Sequence, residues 1–160
     1  MSRDLNLLTP TMKEFAIQLQ KECTAAGIPI VITCTARTLL EQCALYVQGR
    51  EPLEVVNTVR KAAGMYALTD SENKRRVTWT LRSSHVTDLT NENHKDDFAR
   101  ALDFAIIKDK KATWDLKVNV NENEIPDYLE VAQIAKRIRP DIICGADWNK
   151  KDWCHLEEPV

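Results

Sequence analysis

The segment Asp152-Trp153-Cys154-His155-Leu156-Glu157, taken with His85 and Asp103 upstream, carries the residue types of a catalytic metal site. Imidazole nitrogen and carboxylate oxygen suit zinc, and three protein donors leave one position open for water or substrate. A further carboxylate beside such a site can take a proton from the water and return it to a leaving amine. Asp152, three residues before His155, is the candidate for that task. Together these residues point to a zinc hydrolase.

Each of them also has a plainer reading. Asp103 is the one charge in Ala101-Leu102-Asp103-Phe104-Ala105-Ile106-Ile107, and a buried carboxylate is costly unless paired or bound to a metal. A core salt bridge with Arg100 or Arg37 would satisfy it as well. His85 follows Ser83-Ser84 after a predicted strand, where a histidine can be ligand, structural or exposed. If the closing segment is extended, His155 and Glu157 share a face while Asp152 approaches through a turn; the alternative is an ordinary strand with a satisfied histidine. Arg37 stands between a predicted strand and a predicted helix. It could enter a cleft and stabilise charge on a tetrahedral intermediate, or form a surface salt bridge.

The elements that must position these groups are legible in outline. Thr9-Pro10 predicts a helix start, with Met12, Phe15, Ala16 and Leu19 at helical spacing and an end near Gly27. Ile28 to Thr33 predicts a buried strand. Thr38-Leu39-Leu40-Glu41 fits a capping box, opening a helix through Tyr46 with Gly49 just past its end. Arg50 to Arg76 predicts a helix plus loops, Val77 to Leu81 a strand, and the polar stretch Val86 to Arg100 a loop. Ala101 to Ile107 predicts a central strand. Pro126 to Ile138 predicts a helix through Leu129, Ala132, Ile134 and Ala135, stopped by Pro140. Ile142 to Cys144 and the residues around His155 are short enough for strands. The order predicts an α+β domain, a small, mainly antiparallel sheet flanked by helices.

Composition excludes several classes. The 160 residues suit one domain spanning 1–160. A net charge of −2 leaves no footprint for nucleic acid. Five cysteines, an odd number without a Cys-x-x-Cys pair, argue against a disulfide framework and for a reducing compartment. The polar start and the lack of a long apolar run predict no signal peptide and no membrane insertion. Synthesis in the cytoplasm as a monomer is expected.

The stretch Ile30-Val-Ile-Thr-Cys-Thr-Ala-Arg37-Thr-Leu-Leu-Glu-Gln42-Cys-Ala-Leu-Tyr46-Val-Gln-Gly49-Arg50 resembles the N-terminal motif of the zinc peptidoglycan peptidases. These are D-alanyl-D-alanine carboxypeptidases and L-alanyl-D-glutamate endopeptidases, many of them phage endolysins. Ser83-Ser84-His85 resembles the family's Ser-x-His, and Ala101-Leu102-Asp103 its Ala-x-Asp. Gly145-Ala146-Asp147-Trp148 followed by Asp152 to Glu157 resembles its Gly-x-Asp-Trp and Asp/Glu-x-x-His-x-Glu ending. The likeness runs from Leu8 to Glu158.

The resemblance implies zinc held by His85, Asp103 and His155 in a cleft on the sheet, with Asp152 as acid/base and Arg37 polarising the scissile carbonyl. It implies substrate contact for Ser83, and for Gln42 either substrate contact or support of the Arg37 segment. The implied activity is hydrolysis of the peptide stem of bacterial peptidoglycan, with the endopeptidase favoured over the carboxypeptidase. A non-catalytic cell-wall-binding relative and a metal-free structural phage protein are the other classes. No separate cell-wall-binding domain is expected, and cytoplasmic storage would require a holin-like partner for release. Two departures stand out: seventeen residues separate His85 from Asp103, far more than the family places there, and Ala99 replaces an expected glycine. A loop inserted between the ligand-bearing strands would account for the first and could wall the substrate cleft. His94 is the rival first ligand.

Overall fold

The computed structural model describes residues 1–87 and 97–159. His94 and the central part of the expected inserted loop lie outside the described residues. Helix α1, Pro10–Ala25, begins where Thr9 Oγ1 accepts from the Met12 amide and buries Met12, Phe15, Ala16, Leu19 and Cys23. Strand β1, Ile30–Cys34, alternates with Ile30, Ile32 and Cys34 buried. The capping box at Thr38 and Glu41 is fully formed and opens α2, Leu39–Val47. Helices α3, Leu53–Ala62, and α4, Asp70–Asn73, follow. Gly49 (φ 72°) is required between them and α2, because a β-carbon there would stand 2.8 Å from the Arg76 amide nitrogen.

Strand β2, Ala101–Lys108, forms a hairpin with β3, Lys111–Thr113. Helix α5, Asp127–Ile138, then leads through β4, Ile143–Cys144, and a 3₁₀ turn at Gly145–Asp147 to β5, His155–Glu157. The sheet is antiparallel with order β1-β2-β5-β4, and β3 pairs on β2. The α+β class expected from the sequence is what the chain adopts.

Side chains alternate across a sheet, and β2 divides its chemistry accordingly. Leu102, Phe104 and Ile106 join α1 and α5 in one apolar cluster, with Phe104 stacked on Tyr128 at 5.5 Å. Asp103 faces the opposite side. The register sets Cys34 of β1 and His155 of β5 on either side of Asp103, so three metal-ligating residue types occupy one row. Glu158, just past β5, ties this row to both helices. It accepts from Thr9 Oγ1 and Thr11 Oγ1, each at 2.7 Å, and from Arg139 Nη1 at 3.0 Å.

Two expectations need correction. Val77 to Leu81 is not a strand. Side chains take its carbonyls instead of a neighbouring strand: Gln42 Nε2 donates to Thr80 O at 2.6 Å and Arg50 Nη2 to Thr78 O at 2.9 Å. On α5, Leu129 is 40% exposed, and the buried stripe is Tyr128, Val131, Ala132, Ile134 and Ala135. Among the described residues no helix is long and apolar enough to cross a membrane.

Candidate metal centre

The sheet supplies Asp103 and His155; His85 comes from the segment after the irregular 77–81 stretch. That segment is laid against the end of β1 by two backbone bonds, Arg37 N to His85 O at 3.0 Å and Thr87 N to Arg37 O at 3.1 Å. The three side chains converge. His85 Nε2 lies 3.2 Å from Asp103 Oδ1 and 3.3 Å from His155 Nδ1, and His155 Nδ1 lies 3.0 Å from Asp103 Oδ1. A tetrahedral ion with bonds of about 2.0–2.1 Å sets its donors about 3.3–3.4 Å apart. The triangle therefore has the size that such an ion requires.

The outer hydrogen bonds turn the lone pairs inward. His85 Nδ1 lies 2.9 Å from Thr35 O, which can only accept, so that nitrogen carries the hydrogen and Nε2 is free to ligate. His155 Nε2 lies 3.1 Å from Glu157 Oε2, leaving Nδ1 free in the same way. Hydrogen bonding from His155 holds the Glu157 carboxyl below its ordinary range against the opposing effect of burial. Arg37 Nη2 donates to the other Asp103 oxygen at 3.1 Å.

The electrostatics call for positive charge at the centre. Burial would raise the Asp103 carboxyl, but His85 and His155 hold it well below the usual carboxylate range. Burial would depress the imidazoles; Asp103 reverses this, pushing His85 up to about 9 and also raising His155 with help from Glu157. Two protonated rings cannot both aim a hydrogen into the 3.3 Å gap between them. A divalent cation satisfies all three donors at once.

The triangle opens into a cleft of about 740 Å³, whose lining includes Arg37, Ser83, Asp152 and Trp148. Trp148 leans on the His155 ring with centroids 4.9 Å apart. The exposed Asp152 is brought in by a turn, with His155 N donating to its carbonyl at 3.2 Å, and its Oδ1 accepts from Cys154 Sγ at 3.1 Å. Ser83 lies at the cleft wall, where its Oγ accepts from the His85 amide at 3.4 Å. Gln42 is fully buried. It accepts from Arg37 Nη1 at 3.1 Å and donates to Thr80 O, so it braces Arg37. Arg37 is itself buried, and its pairing with Asp103 realises the salt bridge that the sequence left open beside the metal reading.

Three contributors were not anticipated as site residues. Cys34 places a sulfur near the centre: its Sγ and donor atoms of His85 and Asp103 lie within 4.8 Å of one another. The His85–Asp103–His155 set is tighter, and Cys34 Sγ accepts from Arg37 Nη2 at 3.5 Å. A register shift between Ile32 and Cys34 turns Cys34 off the Ile30–Ile32 face and onto that of Asp103, and the sequence carries no signal for it. Glu157 was expected on the His155 face but without its orienting role. The Thr35 carbonyl carries no side-chain signature at all.

No protein-family model matches the chain. The chain is 30% identical over 152 residues to the peptidoglycan L-alanyl-D-glutamate endopeptidase CwlK of Bacillus subtilis (strain 168), a likeness covering 94% of this chain and 72% of CwlK. Its fold is similar to that of the L-Ala D-Glu endopeptidase ChiX of Serratia marcescens, with a TM-score of 0.55 at 16% identity over 97% of this chain and 83% of that one. The likeness to CwlK covers nearly the whole chain and most of CwlK, and on that ground the protein belongs to the family of peptidoglycan L-alanyl-D-glutamate endopeptidases.

Proposed function

We propose that this protein is a zinc endopeptidase that hydrolyses the bond between L-alanine and D-glutamate in the peptide stem of bacterial peptidoglycan. The observation that carries the reading is the inward-facing His85–Asp103–His155 triangle opening into a cleft beside Asp152. His85, Asp103 and His155 would hold the metal, which when bound supplies a Lewis acid for the scissile carbonyl and acidifies water toward neutrality. Asp152 takes the proton from the attacking water and delivers it to the departing D-glutamate amine as the C–N bond breaks. Arg37 fixes Asp103 and, lining the cleft, adds positive charge where the carbonyl oxygen becomes anionic. Ser83 sits where the peptide would pass.

The residues form one catalytic domain in this reading. Production as a phage-type lysin in the cytoplasm, with release by a holin-like partner, rests on the sequence resemblance. The test is digestion of purified peptidoglycan with and without a chelator, followed by mass analysis. New amino termini on D-glutamate that disappear with chelator are expected. Free D-alanine would instead indicate a carboxypeptidase, and no new termini in a zinc-loaded sample would sink the assignment. Asp152→Ala should lose turnover yet keep the metal, whereas a mere binding module would lose nothing measurable.

A further inference from the structure

The cleft has a second chemical character besides its carboxylates. Arg75, Arg76 and Arg82 from the irregular segment and Lys150 and Lys151 from before the Asp152 turn all line it. The chain has more acids than bases, 24 against 22, so composition does not explain these five in one cleft beside Arg37. Among the described residues none of the five is in an ion pair. The contacts of three of them, Arg76, Lys150 and Lys151, position without neutralising. Lys150 Nζ lies 3.4 Å from the centroid of the half-exposed Trp79 ring, and the Arg76 guanidinium 5.8 Å from the same ring. Lys151 Nζ donates to Ala146 O at 2.6 Å.

The acids of the cleft are committed elsewhere. Asp103 is held by His85, His155 and Arg37; Glu157 orients His155; Asp152 accepts from Cys154. The same cleft therefore holds donors for a cation and uncommitted basic side chains that can receive an anion. Like charges gathered without counter-charge repel one another, and an anionic ligand relieves that repulsion.

We infer that Arg75, Arg76, Arg82, Lys150 and Lys151 form a carboxylate-reading subsite that selects peptide stems whose D-glutamate keeps its α-carboxylate free. The inference rests on the proposed function and deepens it. In the stem, D-glutamate is extended through its side-chain carboxyl, so the α-carboxylate stays free beside the scissile bond. Arginine forks match a carboxylate in a two-point contact that a carboxamide cannot reproduce, since amidation removes the charge and replaces an acceptor with a donor.

Two synthetic γ-linked L-Ala-D-Glu-L-Lys stems, one with the α-carboxylate and one with the α-carboxamide, test this on the zinc-loaded full chain. Binding is followed by tryptophan fluorescence or calorimetry, and hydrolysis is measured separately. The acid stem is expected to bind about tenfold tighter at low salt, with an advantage that shrinks as salt rises. The double variant Arg82→Gln/Lys150→Gln should bring the ratio close to one, and Arg82→Lys should retain part of it. If the double variant does not fold, Arg75→Gln serves the same comparison. Equal binding of the two stems by the unaltered protein, or an undiminished preference in the variants, overturns the inference. A glycerol-phosphate polymer that competes while the stems remain undiscriminated also overturns it, reassigning the wall to phosphate. A binding preference without cleavage of either stem upholds the subsite and removes the peptidase reading. Cleavage of both with equal kcat/KM does the reverse.

Discussion

Gly145 lies against the Asp152 turn so closely that a β-carbon on it would stand 2.3 Å from the Asp152 carbonyl oxygen and 3.1 Å from the His155 β-carbon. The Asp152 amide also donates to Gly145 O at 2.9 Å. One hydrogen-bearing α-carbon thus sets the position of both the proposed acid/base and the third ligand. Gly145→Ala forces that turn away from the sheet. The expected cost is about 1–3 kcal/mol of overpacking strain, read by urea unfolding, with weakened zinc binding alongside. A variant that melts and binds zinc like the parent would show that the turn has room.

The Glu157 carboxylate fixes which His155 nitrogen faces the centre. Glu157→Ala should weaken metal binding by roughly ten- to a hundredfold, the usual effect of losing such an outer partner. Competition against a chromophoric chelator measures it. Glu157→Gln keeps an acceptor and should recover most of the loss.

Gln42 couples the Asp103 row to the cleft wall through Arg37 on one side and Thr80 on the other. Gln42→Leu leaves a buried guanidinium nitrogen and a backbone carbonyl without their partner, at an expected cost of about 1–3 kcal/mol. Because Arg37 holds Asp103, kcat/KM should fall more than stability alone explains. Unchanged kinetics in the folded fraction would assign Gln42 to the core only.

Burial would raise the Glu158 carboxyl, but the hydroxyls of Thr9 and Thr11 and the Arg139 guanidinium hold it below its ordinary value. Its contribution is therefore complete above the unfolded-state value of about 4.3 and is lost as pH falls through the lower folded value. Glu158→Gln should be about 2 kcal/mol less stable than the parent at neutral pH, a charge-assisted network being lost. The gap should close in acid. Urea unfolding at a series of pH values tests this, and a gap independent of pH would mean that the hydrogen bonds do not need the charge.

Much of the scaffold was legible because its signals are local. Thr9-Pro10 and the Thr38–Glu41 box announce helix starts within four residues, and both are formed as read. The central strand β2 was legible as an apolar run with one charge, Asp103. Val77 to Leu81 was misread because its composition suits a strand, whereas a strand also needs a partner, and here the partners are the side chains of Gln42 and Arg50. Leu129 was assigned inward because a short helix allows more than one apolar stripe, and the packing of Tyr128 on Phe104 selects between them. The row Cys34–Asp103–His155 depends on strand register, which joins positions far apart in the chain and has no local signature.

The irregular 77–81 segment has a consequence for how this enzyme can diversify. Residues in a β-ladder are bound to an alternation, so an insertion or a one-residue slip there turns every following side chain to the other face. The segment beside Trp79 obeys no such rule, being suspended from Gln42 and Arg50 at two carbonyls. The cleft wall at 77–81 and the sheet row that carries Asp103 and His155 are thus separately editable. Segments can be exchanged at 75–82 to reshape the cleft lining, while the register that assembles Asp103 and His155 remains untouched.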